Sequence, residues 1–179
     1  MHVKDEFRGL SNDEVRTAAS QRHLPFAVAI PNVSSMDLNP GGIIRTACAL
    51  GAQCVFLFGK RKYDRRPTIG THHYIDVLTF AGDDDVDEID WAFVLQTVRL
   101  HDYTPIVIEQ GGSPLHQFDP SFGAPVCLIL GAELLPIPRT ICDAERCYSI
   151  PQPGVGRSLN TAVAASIAMY HVTTRLHTL

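Results

Sequence analysis

Residues 150–171, IPQPGVGRSLNTAVAASIAMYH, restrict the fold more than any other part of the chain. The prolines and glycines of IPQPGVG predict a loop of fixed shape over 150–156, neither strand nor helix. Ser158 then stands where a helix N-cap belongs. After it Leu159, Ala162, Val163, Ser166, Ile167 and Tyr170 recur at helical spacing. The opposite side (Ala164, Ala165, Ala168, Met169, Val172) is nearly as apolar. A helix apolar all round needs cover on more than one side. Two readings of that cover stay open: an ordinary C-terminal core helix after a Pro-rich turn, or a helix shared between its own domain and a partner subunit.

The rest of the chain supplies what such a helix could pack against. Ser11 to Glu14 fit a capping box, so a short helix should run to Ser20. Residues 26–31, FAVAIP, predict a buried strand. Asn39 is a natural N-cap, with Pro40 at the first helical position and Gly51 as the stop of a helix ending near Leu50. Further strands are expected at 54–58, 104–108, 126–130 and 148–150, and a helix from about Val86 to Leu100 behind an acidic run at 83–88. Strand, helix, strand without hairpin signals predicts an α/β fold: an open, mostly parallel sheet with helices on both faces. Residues 109–113 read as a tight turn closing their strand. Gly111, Gly131 and Gly154 then mark three loops at strand C-terminal ends, where an open α/β sheet binds its ligand. No glycine-rich phosphate fingerprint follows the first strand and no P-loop occurs, which argues against a nucleoside triphosphate.

At 179 residues the chain fits one domain, with a short helical extension over about 1–22. Hydrophobic residues make up 45% and charged residues 19%, a globular balance. No apolar run reaches membrane-spanning length and residues 1–20 do not read as a signal peptide, so a cytoplasmic protein is expected. Five cysteines (Cys48, Cys54, Cys127, Cys142, Cys147) without a C-x-x-C pair suit reduced, structural thiols. A net charge of −4 gives no global pull toward nucleic acid, so any such binding needs a local patch. Lys60, Arg61, Lys62, Arg65 and Arg66, interleaved with Tyr63, form the one dense basic cluster, either a solvated loop or a phosphate grip. His72 and His73 have no third ligand at suitable spacing, so no metal is expected.

Three segments combine into a pattern. Residues 39–51, NPGGIIRTACALG, set Asn39 six residues before Arg45; residues 128–138, LILGAELLPIP, carry Gly131-x-Glu133; residues 150–166 carry Ile150-Pro151-x-x-Gly154 and then Ser158-Leu159-Asn160. In order and spacing they resemble the motif set of the SpoU/TrmH family of SPOUT RNA methyltransferases. The departure is Pro136, where the family usually has glycine. The resemblance implies a deep trefoil knot over about 126–179, one of the exceptions to unknotted topology. It implies S-adenosylmethionine held mainly by main-chain groups of Glu109, Gln110, Gly111, Leu130, Gly131, Ala132, Ile150, Pro151, Gln152, Gly154, Ser158 and Leu159. It also implies a homodimer in which Arg45 of one subunit faces the cofactor of the other.

The activity so implied is methyl transfer to a ribose 2′-hydroxyl of RNA. By the same resemblance Arg45 would hold a phosphate and stabilise the developing alkoxide. Asn39 would orient Arg45 from its cap position, Ser158 and Asn160 would position the loop and substrate, and Glu133 would brace the network. Arg157 joins the basic cluster as an RNA contact. The 150–160 motif resembles a tRNA-modifying branch, so tRNA is expected ahead of ribosomal RNA. A non-catalytic knotted dimer that binds RNA or cofactor is the rival reading. Taken singly, Asn39 could be only a cap, Arg45 a surface arginine and Glu133 a helix-start carboxylate.

Overall fold

In a computed structural model the described residues are 3–33, 38–59, 63–81, 89–121, 123–131 and 136–177. Six strands form one sheet: β1 (Phe26–Val33), β2 (Cys54–Gly59), β3 (Asp76–Ala81), β4 (Thr104–Pro114), β5 (Val126–Leu130) and β6 (Arg146–Ser149). Their order is β3-β2-β1-β5-β4-β6, and every neighbouring pair is parallel. Among the described residues, five α-helices accompany it: α1 (Asn12–Ser20), α2 (Asn39–Ala49), α3 (Trp91–Leu100), α4 (Arg139–Ala144) and α5 (Thr161–His177).

The central strands are apolar on both faces because both faces are covered. Phe26, Val28, Ile30, Val55, Leu57, Ile106 and Leu128 turn to one side, where Ile43, Ile44 and Ala47 of α2 and Ala165, Ala168, Met169 and Val172 of α5 meet them. Ala27, Ala29, Phe56, Val107, Cys127 and Ile129 turn to the other, against Val94, Leu95 and Val98 of α3 and Cys142 of α4. That alternation is the period of two of a strand read on both faces at once. The expected fold class therefore holds as a six-stranded parallel α/β sheet.

Ser11 caps α1 as expected: its hydroxyl accepts from the Glu14 amide at 3.3 Å, and a Glu14 carboxylate oxygen accepts the Ser11 amide at 2.8 Å. Gly51 ends α2 with φ +79°, a conformation that glycine adopts without strain. Other expectations shift. β1 continues to Val33, and α3 begins at Trp91 rather than Val86 because Asp90 is its cap, accepting from the Phe93 amide at 2.9 Å. The acidic run at 83–88 lies outside the described residues. β6 starts at Arg146, two residues before the expected strand, and β3 and α4 were not anticipated.

The largest revision concerns 109–113. These residues do not close β4; they bulge out of it. Ile108 and Ser113 both pair with Tyr148 of β6, so the chain leaves the ladder and rejoins it at the same level. Gly111 has φ +82°, and Gly112 lies so close to β6 that a Cβ there would stand 2.7 Å from the Cys147 carbonyl. The strand resumes because β6 offers a backbone to pair with, which local sequence does not reveal.

Candidate active site

β5, β4 and β6 lie side by side in the sheet, and the bulge of β4 meets the loops that follow β5 and β6. In the bulge of β4, Glu109 is half-buried while Gln110 and Gly111 are exposed. Leu130 is buried at the end of β5 and Gly131 follows it. Residues 150–160 carry no helix or strand; in them Ile150, Gln152 and Leu159 are half-buried, and Pro151, Gly154, Arg157 and Ser158 are exposed. Side chains stitch the loops together. The Gln110 side-chain amide donates to the Arg157 carbonyl at 2.7 Å. A Glu109 oxygen accepts the Ile137 amide at 3.1 Å, and the Thr161 hydroxyl donates to the Gly131 carbonyl at 3.4 Å. Arg139 donates to the Gly111 carbonyl at 3.2 Å. Main-chain groups from three segments are thus gathered at one place, as a pocket lined by backbone requires. Ala132 and Glu133 lie outside the described residues.

The helix cap of α5 differs from expectation. Asn160, not Ser158, caps it: the Asn160 side-chain oxygen accepts from the amides of Ala162 at 2.9 Å and Val163 at 3.3 Å. That fixes which end of the carboxamide is oxygen. The remaining end, the NH2 group, donates at 2.9 Å to the side-chain oxygen of Asn39. Asn39 likewise is not the cap of α2, whose N-cap position is taken by Leu38 without a side-chain bond. Its carboxamide reaches across to α5 instead, so the starts of α2 and α5 are joined by one amide–amide bond. Arg45 lies on α2 and is exposed, on the helix face shared with Gly41 and Gly42 at i−4 and i−3.

The basic cluster is only partly available. Lys60, Arg61 and Lys62 lie outside the described residues. Arg66 is exposed but paired with Asp64, its Nε 2.9 Å from a carboxylate oxygen. That hydrogen bonding holds the Asp64 carboxyl below its usual range. Arg65 is exposed, its guanidinium 5.9 Å from the centre of the Tyr63 ring. This loop is seated on the first turn of α2: a Cβ on Gly41 would stand 2.8 Å from the Asp64 carbonyl oxygen. Arg157, exposed, belongs to the third loop.

Thr68 gives its proton to the Arg65 carbonyl at 2.8 Å, so at 2.6 Å its oxygen accepts from Nδ1 of His72. Burial, aided by His73 and Arg65, holds His72 below 6.5. No group of three or more His, Cys, Asp or Glu side chains able to hold a metal occurs among the described residues. All five cysteines are free; burial raises Cys54 to about 11 and Cys147 to about 12. No helix among the described residues is long and apolar enough to cross a membrane.

On the outer side of α2 and α5, Val163, Ile167 and Tyr170 are exposed by 48%, 39% and 63%. With Gly42, Thr46, Ala162 and Ser166 they line an open, mainly apolar groove. Thr161, Ile137 and Arg139 were missed as site residues. Arg139 lies on a short helix, Ile137 acts through its main-chain amide and Thr161 through one hydroxyl at the start of α5, and none of these leaves a pattern in the sequence.

Comparison with known proteins gives concordant findings. The model of the SpoU rRNA Methylase family matches residues 25–170. The 23S rRNA (guanosine-2'-O-)-methyltransferase RlmB of Acinetobacter baylyi is 30% identical over 141 residues, 74% of this chain and 53% of the relative. The chain thus spans about half the length of that relative. An A. aeolicus TrmH/SpoU tRNA modifying enzyme superposes with a TM-score of 0.74 at 20% identity, over 93% of this chain and 83% of its own. An AdoMet-bound rRNA methyltransferase from Sinorhizobium meliloti gives 0.69 at 26% identity, over 90% and 60%.

Proposed function

Since this chain belongs to the SpoU rRNA methylase family, we propose that it transfers a methyl group from S-adenosylmethionine to a ribose 2′-hydroxyl of RNA. The observation that carries this reading is the bond between Asn39 and Asn160, which ties the first and third motifs together beside the loop junction. The cofactor fits the donor set: main-chain groups of Gln110, Gly111, Leu130, Gly131, Ile150 and Gln152 would hold it, within loops already bonded to one another. When bound it supplies a methyl carbon made electrophilic by a sulfonium.

The chain's own residues then align the hydroxyl with that carbon and exclude water. Arg45 serves as a fixed cation. Its guanidinium stays charged and makes a poor base, so it grips the adjoining phosphate and stabilises negative charge growing on the ribose oxygen. Asn160 and Asn39 set the spacing of the two helices that frame this reaction. Ser158, freed from capping, is left to meet substrate. Glu133 is assigned a bracing role.

A homodimer belongs to the same reading. It is supported by the exposed Val163, Ile167 and Tyr170 of α5, which line a groove with Gly42 and Thr46 of α2, the helix that carries Arg45. A second copy laid over this groove would cover them and bring its arginine toward the first copy's loops. The threaded tail is part of the reading too, and the contacts of Gln110 with Arg157 and Thr161 with Gly131 support it. The site of action is the cytoplasm.

For the RNA, the 150–160 motif points to tRNA. Ribosomal RNA is the second reading, favoured by the 23S rRNA named for the 30%-identical relative. Purified protein, labelled S-adenosylmethionine and separate tRNA and ribosomal RNA fractions decide between them. Label in one fraction names the substrate. Intact cofactor binding with no label in either leaves the non-catalytic dimer.

A further inference from the structure

We propose that the side chains of Glu109 and Gln110 are positioning groups that lock the three cofactor loops into register, leaving the cofactor to the main-chain groups. The inference rests on reading these loops as the S-adenosylmethionine site. At the start of the β4 bulge these two adjacent side chains reach different loops. Glu109 reaches the loop after β5, and Gln110 reaches the loop before α5.

Glu109 is committed on both oxygens. One accepts the Gln110 amide at 2.7 Å, the other the Ile137 amide at 3.1 Å. Ile137 is 4% exposed, so its N–H needs an internal acceptor. It also directly follows Pro136, the point where the chain departs from its family pattern. Proline has no N–H to give, which makes the Ile137 amide the first after it that can be pinned. The carboxylate that pins it is charged, so the bond is of the stronger kind. Gly131 sits against the same contact: a Cβ there would stand 3.1 Å from the Glu109 oxygen, tight enough that the carboxylate would have to shift.

Gln110 completes the lock by donating to the Arg157 carbonyl at 2.7 Å. Two adjacent side chains thereby join all three loops. A pocket made of main-chain groups binds tightly only if those groups are held in place before the ligand arrives. Backbone cannot supply that restraint across loops that do not pair as strands, and these two side chains do.

The test uses Glu109→Ala, Glu109→Gln and Gln110→Met in the full chain. In the absence of cofactor, Glu109→Ala speeds hydrogen exchange of the Ile137 amide, and Gln110→Met speeds exchange over 150–159. With cofactor, Glu109→Ala raises the KM for S-adenosylmethionine about tenfold or more while kcat at saturation stays within about threefold. Glu109→Gln restores part of both effects, because its carbonyl still accepts one amide. Wild-type protein that binds the cofactor beside a Glu109→Ala variant with unchanged exchange and unchanged KM overturns the lock alone. Wild-type protein that fails to bind overturns the cofactor reading, and the lock with it.

Discussion

The loop junction and the α2–α5 groove lie on the same molecule and are finished to different degrees. At the junction, polar groups of Glu109, Gln110 and Thr161 are already bonded to neighbouring loops. At the groove, Val163, Ile167 and Tyr170 are exposed, and Arg45 on α2 is exposed as well. The contrast teaches a division of labour. On the proposed reading, one chain shapes the cofactor pocket, whereas the acceptor side takes a second copy and an RNA.

The hardest blow to this contrast would fall at Arg45. Arg45→Ala is expected to lower methyl transfer about a hundredfold or more while cofactor affinity stays within about twofold. Labelled transfer and equilibrium binding measure the two; parallel losses would merge the regions. Next in size is the groove. A double change, Ile167→Asp with Tyr170→Asp, should halve the mass seen by sedimentation and abolish transfer, with cofactor binding retained within about threefold. An unchanged mass would remove the second copy from the account.

Asn160 sits on the border and can be split chemically. Asn160→Asp keeps the acceptor that caps α5 but loses the donor to Asn39. Asn160→Ala loses both, so it should cost about 1 kcal/mol more in thermal denaturation. Transfer should fall in both variants alike; full activity in Asn160→Asp would make the cap its whole role. In the basic loop, Arg65→Ala should lower the salt slope of RNA binding by about 0.7–0.9, and Arg66→Ala by less, since Asp64 already neutralises it.

The smallest effect is a pH dependence. Burial holds His23 and His72 below 6.5 in the folded chain. The unfolded chain therefore binds more protons, and stability present above 6.5 falls as pH drops through the folded values. Replacing both with Gln should flatten the melting temperature between pH 7 and 5.5. A curve that keeps its slope would assign the loss to other groups.

Much of this was legible in the chain itself, for reasons that particular residues show. FAVAIP and VCLIL are apolar on both faces because central parallel strands are covered twice, so β1 and β5 stood out. β3 lies at the sheet edge, where half-exposed Val77 and Leu78 and exposed Thr79 weaken the pattern. α4 has six residues, too few for a helical period to register. Ser158 and Asn160 are both good caps, and local sequence could not choose between them. The bond from Asn160 to Asn39, 121 positions away, makes Asn160 the residue at the junction. Residues of the first and third motifs meet in the fold through the Asn39–Asn160 bond, while the stitching by Glu109, Gln110 and Thr161 left no pattern in the sequence.

Mixing two inactive variants tests the division of labour most directly. Arg45→Ala spares the cofactor loops, and Gly131→Val crowds Glu109 and Ile137 but spares Arg45. Unfolded together and refolded as mixed dimers, the pair should regain about a quarter of wild-type transfer, because half the dimers are mixed and each has one intact site. Recovery of nothing, with mixed dimers present, would contradict a site shared between two chains.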